Sequence, residues 1–262
     1  MNVLASDLDR TLLPNGKWPI TKDSIELFNR LIQEHEVFLI YVTGRNLELA
    51  QKGVQEYGFI EPNIFITDVG ARVWVKKGTS WFEDNNWQEQ IKNTHKRWDH
   101  KKIEEAVKKV RGVSHQEEEN NSLFKQSYYA TNKRVVREVK EQLRGLFDEH
   151  IIHSTDPLTK KELLDIMPQK VTKLTAIQFI QEKLGVREQN ITYCGDSGND
   201  IEPLTGKYRG IVVRNADKEL REALEEKQGS QKTYFAQGSK LGNGYYVNGV
   251  IEGAYHFGVF KK

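Results

Sequence analysis

Short apolar runs alternate with amphipathic stretches at both ends of this chain. Val3-Leu4-Ala5, Val37-Phe38-Leu39-Ile40-Tyr41 and Ile64-Phe65-Ile66-Thr67 read as buried strands, the second rich in β-branched and aromatic residues. Between them, Thr21 is placed to cap a helix reaching about His35, with Ile25, Leu27, Phe28, Leu31 and Ile32 on one face. Asn46 is placed to cap a second helix through Tyr57. Asp68-Val69-Gly70 breaks the third strand, and Arg72-Val73-Trp74-Val75 opens a hairpin. This β-α-β-α-β order predicts a parallel sheet with helices on its faces.

The pattern changes near Trp81. Trp81, Trp87 and Trp98 fall in a segment that turns helical and highly charged from Gln88 to Arg111. Gln116 to Asn121 reads as a polar, acidic loop or edge strand, Leu123 to Ala130 as a strand, and Arg134 to Glu149 as an amphipathic helix. Ile151-Ile152-His153 and Leu163 to Met167 read as two more strands. Residues 83–168 therefore predict an inserted α+β cap domain. Residues 1–82 and 169–262 form the core.

Alternation resumes after Pro168. Thr172 is placed to cap a helix from Lys173 to Leu184. Ile191 to Cys194 is a strand ending in Gly195-Asp196-Ser197-Gly198-Asn199-Asp200, and Gly210 to Val213 is another. A charged helix from Asp217 to Lys227 and a last helix from about Asn248 complete the expected α/β, doubly wound core.

Composition narrows the function classes. Hydrophobic content of 37% and charged content of 29% describe a soluble globular chain, and the net charge of +2 does not argue for nucleic acid. The lysines between Lys92 and Lys109 are interleaved with Glu104 and Glu105, which reads as a solvated face. No apolar run approaches a membrane span, and Asp7 and Asp9 interrupt any leader-like apolar core. The lone Cys194 excludes an intrachain disulfide and points to a reducing, cytoplasmic setting. In its buried strand it reads as a core residue and not as a nucleophile.

The candidate chemistry sits at strand ends, where open α/β sheets bind ligands. Asp7-Leu8-Asp9-Arg10-Thr11 follows the first strand, and Leu12 to Gly16 break it into a loop. Alternate residues of an extended segment point the same way, so Asp7 and Asp9 can share one site. One carboxylate attacking phosphorus and the other moving protons suits covalent phosphoryl transfer. Alone, the stretch reads as well as a strand followed by an Asx turn. Thr43-Gly44, between a strand and a helix start, offers a hydroxyl and backbone N–H groups to an anion, or is a plain turn. Gly195 to Asp200 adds carboxylates to an oxygen-rich pocket that suits Mg²⁺ beside a substrate phosphate.

That order of segments, with a helix-starting Lys173 between the last two, resembles the haloacid dehalogenase superfamily. Asp7, Asp9 and Thr11 match its first motif, Thr43 its second, Lys173 its third and Gly195 to Asp200 its fourth. One departure is Arg10, where many members have Gly. Within the superfamily the chain is similar to the sucrose-phosphate phosphatase group. The stretches that carry this are Tyr41 to Arg45, Phe124 to Tyr129, Leu164 to Pro168, Tyr193 to Ile201, Gly210 to Ala216 and Gly249 to His256, with the Trp81 to Trp98 region.

The resemblance implies a Mg²⁺-dependent hydrolase of a small sugar phosphate. Asp7 would be the nucleophile and Asp9 the acid and base. Thr43 and Lys173 would hold phosphoryl oxygens. Asp7, the backbone carbonyl of Asp9 and Asp196 would bind the metal, with Asp200 at the edge of that shell. Gly44, Arg45 and Asn199 would also bind substrate. In the cap, polar and aromatic residues such as Gln116, Glu118, Lys125 and Tyr128 are candidates for the sugar, and packing of Tyr128 inside the cap stands beside that reading. A phosphomutase and a non-catalytic sugar-phosphate sensor are the alternatives. The oligomeric state stays open.

Overall fold

The computed structural model describes residues 1–155, 159–226 and 232–261. It divides into two compact units, Met1–Glu83 with Lys173–Lys262, and Asp84–Thr172.

The chain begins with β1 (Val3–Ser6), α1 (Ser24–Glu34), β2 (Phe38–Val42), α2 (Leu47–Tyr57), β3 (Ile64–Thr67), β4 (Arg72–Lys77) and β5 (Ser80–Glu83). The second unit follows: α3 (Asn85–Thr94), α4 (His100–Val107), β6 (Val113–His115), β7 (Gln126–Ala130), α5 (Lys133–Leu143), β8 (Glu149–Thr155) and β9 (Glu162–Pro168). The first unit resumes with α6 (Lys173–Leu184), β10 (Ile191–Gly195), α7 (Ile201–Thr205), β11 (Arg209–Val212), α8 (Lys218–Glu226), β12 (Thr233–Phe235) and α9 (Val247–His256).

The first unit is built on an eight-stranded sheet of order β12-β11-β10-β1-β2-β3-β4-β5. Its pairs from β12 to β3 are parallel, and the β4–β5 hairpin closes one edge antiparallel. β1 lies between β2 and β10, with Val3 opposite both Phe38 and Ile191. Residues two apart share a face. Leu4, Leu39, Tyr41, Phe65, Cys194 and Ile211 thus pack in one core with Phe28 and Leu31 of α1, Ala50 and Val54 of α2, and Val250 and Ile251 of α9. On the sheet, α6 packs against β3, and α7 against β10 and β11. The first unit is therefore an α/β, doubly wound, largely parallel sheet, as its apolar pattern predicts.

Several boundaries differ from the expected ones. α1 begins at Ser24 and not after Thr21; Asp23, in a left-handed conformation, precedes it without a side-chain cap bond. Asn46 does cap α2, accepting from the Leu49 N–H. The expected helix over 88–111 is two helices, because Asp99 caps a new one by accepting from the Lys102 N–H. The helix expected to reach Glu149 ends at Leu143; Gly145 turns left-handed, and Glu149 accepts from the N–H groups of Gly145 and Phe147. β7 loses Leu123 and Phe124 to a tight turn in which Ser122 and Lys125 exchange backbone bonds. The strands β6 and β12 and the helix α7 were not expected. α8 is described to Glu226; Lys227, its expected end, lies outside the described residues.

The second unit carries a four-stranded antiparallel sheet, β6-β7-β9-β8. Ile103 and Val107 of α4 and Val136, Val139 and Leu143 of α5 form its core with Tyr128, Leu164 and Ile166. Among the described residues, no helix is long and apolar enough to cross a membrane.

Candidate active site

β1 ends where its last ladder bond, from the Asp7 N–H to the Cys194 carbonyl, is made at 3.0 Å. The chain then turns back sharply, with the Thr11, Leu12 and Leu13 N–H groups all reaching the Leu8 carbonyl. Leu8, Leu12 and Leu13 are fully buried, so the turn is anchored from below while its polar residues rise at the strand end. Asp7 is 5% exposed.

α6 brings Lys173 to the same place. Its ammonium is fully buried and lies 2.6 Å from Asp7 Oδ1, 2.8 Å from Asp200 Oδ1 and 3.0 Å from Asn199 Oδ1. Burial lowers an amine's proton affinity, but the two carboxylates outweigh it and raise that of Lys173, which stays charged.

The turn after β10 supplies Asp196 and Asp200. Gly195 is required there: a Cβ on it would stand 2.5 Å from Asp200 Cβ and Cγ. Asp200 Oδ1 accepts from Lys173 and from the Tyr193 hydroxyl. Its Oδ2 accepts from the N–H groups of Asp196 and Ser197, each at 3.1 Å. Asp196 Oδ1 accepts from the Thr11 hydroxyl at 3.3 Å, while its buried Oδ2 has no hydrogen-bond partner.

Asp7, Asp196 and Asp200 bring carboxylate oxygens within 4.8 Å of one another. Burial first, then the neighbouring carboxylates, pushes Asp7 up to about 7 even though Lys173 pulls it down. The same causes push Asp196 up to about 8 against the pull of Arg10. Three buried carboxylates face one buried ammonium and, at Asp196 Oδ2, a half-exposed guanidinium, and that oxygen makes no hydrogen bond. A divalent cation fits that donor set, since it supplies the missing charge and takes Asp196 Oδ2 as a ligand. Asp200 already accepts four hydrogen bonds, from Lys173, Tyr193 and two backbone N–H groups. Asp200 thereby braces Lys173 and the Gly195 turn, and it remains one of the three carboxylates of the cluster.

Asp9 is directed elsewhere. Its carboxylate accepts from Arg45 Nε at 2.8 Å and Nη2 at 2.5 Å, and from Asn15 Nδ2 at 2.5 Å. Arg45 Nη1 also donates to the Leu49 carbonyl, so the guanidinium expected to bind substrate is occupied by Asp9 and by α2. Thr43 is fully buried, and its hydroxyl accepts from the Arg45 N–H at 3.1 Å. The Thr43-Gly44-Arg45 loop is fixed from the side by Asp68 and Val69, both left-handed, with φ of 54° and 57°. Asp68 donates its N–H to the Arg45 carbonyl, and Val69 donates to that of Thr43. A β-branched residue in that conformation is strained, and strain of this kind concentrates at functional sites.

In sequence, residues 1–258 match the sucrose-6F-phosphate phosphohydrolase family. The chain belongs to that family. A protein of Nitrosococcus oceani described as a HAD-like hydrolase is 34% identical over 264 residues, covering 97% of this chain and 71% of its own length. Sucrose-phosphatase 2 of Nicotiana tabacum is 28% identical over 225 residues, covering 83% of this chain and 51% of its own. The chain thus spans about half the length of that plant relative. A solved structure, the sucrose-phosphatase of Synechocystis in complex with sucrose and phosphate, superposes with a TM-score of 0.80 at 25% identity, covering 100% of this chain and 99% of that one. These relatives place the family member among the phosphoric monoester hydrolases of the haloacid dehalogenase superfamily.

In this sucrose-phosphatase relative the first unit brings Asp7, Thr11, Lys173, Asp196, Asn199 and Asp200 together. The cap candidates stand differently. Tyr128 is 1% exposed within the apolar core of its own unit, and its hydroxyl donates to Gln126 Oε1. It is a packing residue, which corrects its place among the sugar-binding candidates. Lys125 is buried, with its ammonium 3.7 Å from Asp165. Gln116 is spent inside the unit, donating to the Tyr128 carbonyl.

Sequence reasoning missed Tyr193, Asn15, Asn215 and Asp217. Tyr193 shared a face of β10 with Gly195, which was a signal. Asn15 bonds Asp9 and Arg10 within its own loop, and Asn215 and Asp217 are loop residues whose partners lie on other loops. Burial pushes the Cys194 thiol well up, in keeping with a core role.

Proposed function

We propose that this family member is a divalent-cation-dependent phosphatase acting on sucrose-6F-phosphate or a related glycosyl phosphate, with the phosphoryl group carried on Asp7. The observation that supports it most is the buried Lys173 ammonium shared by Asp7 and Asp200 at a strand end that also holds Asp196.

Asp7 Oδ attacks phosphorus, and the bond from phosphorus to the sugar oxygen breaks. Asp9 gives its proton to that oxygen, and the sugar alcohol leaves. Water then attacks the aspartyl-phosphate, Asp9 takes its proton, and inorganic phosphate is released. Lys173 offsets the charge that builds on the phosphoryl oxygens and keeps Asp7 in line. Thr43 and the Gly44 backbone hold the far side of the phosphoryl group. Asp9 cannot act while both its oxygens are on Arg45, so it must let go of that guanidinium as substrate binds. Arg45 is then free to meet phosphate.

Asp7, the Asp9 carbonyl and Asp196 are the groups that would hold Mg²⁺, with Asp200 behind them. When bound, the ion screens the attacking carboxylate from the phosphate dianion. The test is a panel of glycosyl phosphates assayed for free phosphate with and without Mg²⁺. Release of phosphate from one disaccharide phosphate, abolished by chelator, is expected. An isomerised sugar phosphate in place of free phosphate, or full activity in chelator, overturns the reading.

A further inference from the structure

Arg10 adopts φ of 60°, a region that glycine enters freely and an arginine enters at a cost. The surroundings hold it there. Its carbonyl accepts from Asn215 Nδ2 at 2.5 Å, and its N–H donates to Asn15 Oδ1 at 2.8 Å. Its guanidinium is anchored on Asp217, Nη2 to Oδ1 at 2.7 Å, and reaches the Asn215 carbonyl at 3.4 Å. The Asp217 N–H in turn donates to the Asp196 carbonyl at 2.8 Å. The ring of contacts ends on Asp196: Arg10 Nε forms an ion pair at 3.3 Å with Asp196 Oδ2, an oxygen that makes no hydrogen bond.

We propose that Arg10 sets the affinity of the carboxylate cluster for its cation, holding it below what the aspartates would otherwise reach. A cation arriving on Asp196 Oδ2 must share that oxygen with a fixed positive charge or push it aside. Asp217 keeps the guanidinium close in either case. The side chain is 41% exposed, so the repulsion is screened, and about a tenfold loss of affinity is the size expected. Arg10 is a tuning residue that acts through Asp196. The inference rests on the cation site proposed above.

The experiment measures cation binding directly. Mg²⁺ is titrated by calorimetry, and Tb³⁺ by its luminescence, into the wild-type chain, Arg10→Gly and Arg10→Gln. Glutamine keeps the side-chain bulk and the backbone cost but removes the charge. Both variants should bind Mg²⁺ about tenfold more tightly. They should gain more for the trivalent ion, and the gain should shrink as salt is raised. Melting curves establish that each variant is folded, and Arg10→Gln, which keeps the backbone cost, carries the test by itself. Equal or weaker binding by a folded variant overturns the role of Arg10 while leaving the site intact. A gain in Arg10→Gly that Arg10→Gln does not share assigns the effect to backbone relief and also overturns it. A wild-type chain that binds no Mg²⁺ removes the site itself, and the inference with it.

Discussion

Lys173 Nζ and Asp7 Oδ1 meet at 2.6 Å although 166 residues separate them. The ammonium comes from the first turn of α6, and the carboxylate from the end of β1. Neither is open to water enough to be satisfied by it, so each makes the other tolerable.

Replacing Lys173 by methionine, which fits the space, leaves Asp7 and Asp200 buried without their cation. We expect the first unit to lose about 3–5 kcal/mol of stability and turnover to fall to background. Urea unfolding in chelator and phosphate release measure the two effects. Unchanged stability shows that the pair is not isolated from solvent.

Asp9→Asn should separate substrates by their leaving group. A sugar alkoxide needs a proton and an aryl oxide does not. We expect turnover of the sugar phosphate to fall about 10²–10⁴-fold, and that of a nitrophenyl phosphate far less. Equal losses on both show that Asp9 positions Arg45 and moves no proton.

Cation binding should release protons. Asp7 and Asp196 hold their protons up to about 7 and about 8, whereas in the unfolded chain they lose them near 3.8. Between those limits the folded, cation-free protein binds more protons than the unfolded chain, so these two groups make it less stable as pH rises. A cation needs both carboxylates bare. Calorimetry near pH 6.5 in buffers of different ionisation heat should show about one to two protons released per Mg²⁺, falling towards none near pH 9. Release that does not change with pH shows that the cation binds elsewhere.

Tyr128→Ala should cost the second unit about 3–5 kcal/mol and should lower turnover of sugar and aryl phosphates alike. Lys125→Ala provides the contrast. If Lys125 recognises the sugar, that variant loses sugar-phosphate turnover far more than aryl-phosphate turnover. If it serves only Asp165, the losses are equal.

What could be read in advance follows from how local each signal is. The run Val3 to Ser6 and the turn Gly195 to Asp200 announce a strand end and a carboxylate turn within a few residues. The site order was legible because those turns share one edge of a parallel sheet. What Asp200 does was not, since its four bonds come from Lys173, Tyr193 and two backbone N–H groups. The engagement of Arg45 by Asp9 likewise depends on how two loops meet. Asp99 is legible in the sequence: a capping aspartate inside a charged run breaks the helix that the charges suggest. β6 and β12 have three residues each, too few for a period to show.

The central place of β1 has a consequence for how the chain is made. Val3 has Phe38 on one side early, but its other neighbour is Ile191. At ordinary rates of synthesis that second edge waits roughly ten to forty seconds. During that time a strand of buried residues presents unpaired N–H and carbonyl groups to any passing strand. The contiguous unit Asp84–Thr172 emerges within the same interval. Shortened chains that stop before β10 should therefore be the aggregating products of a stalled ribosome, and the completed sheet their cure.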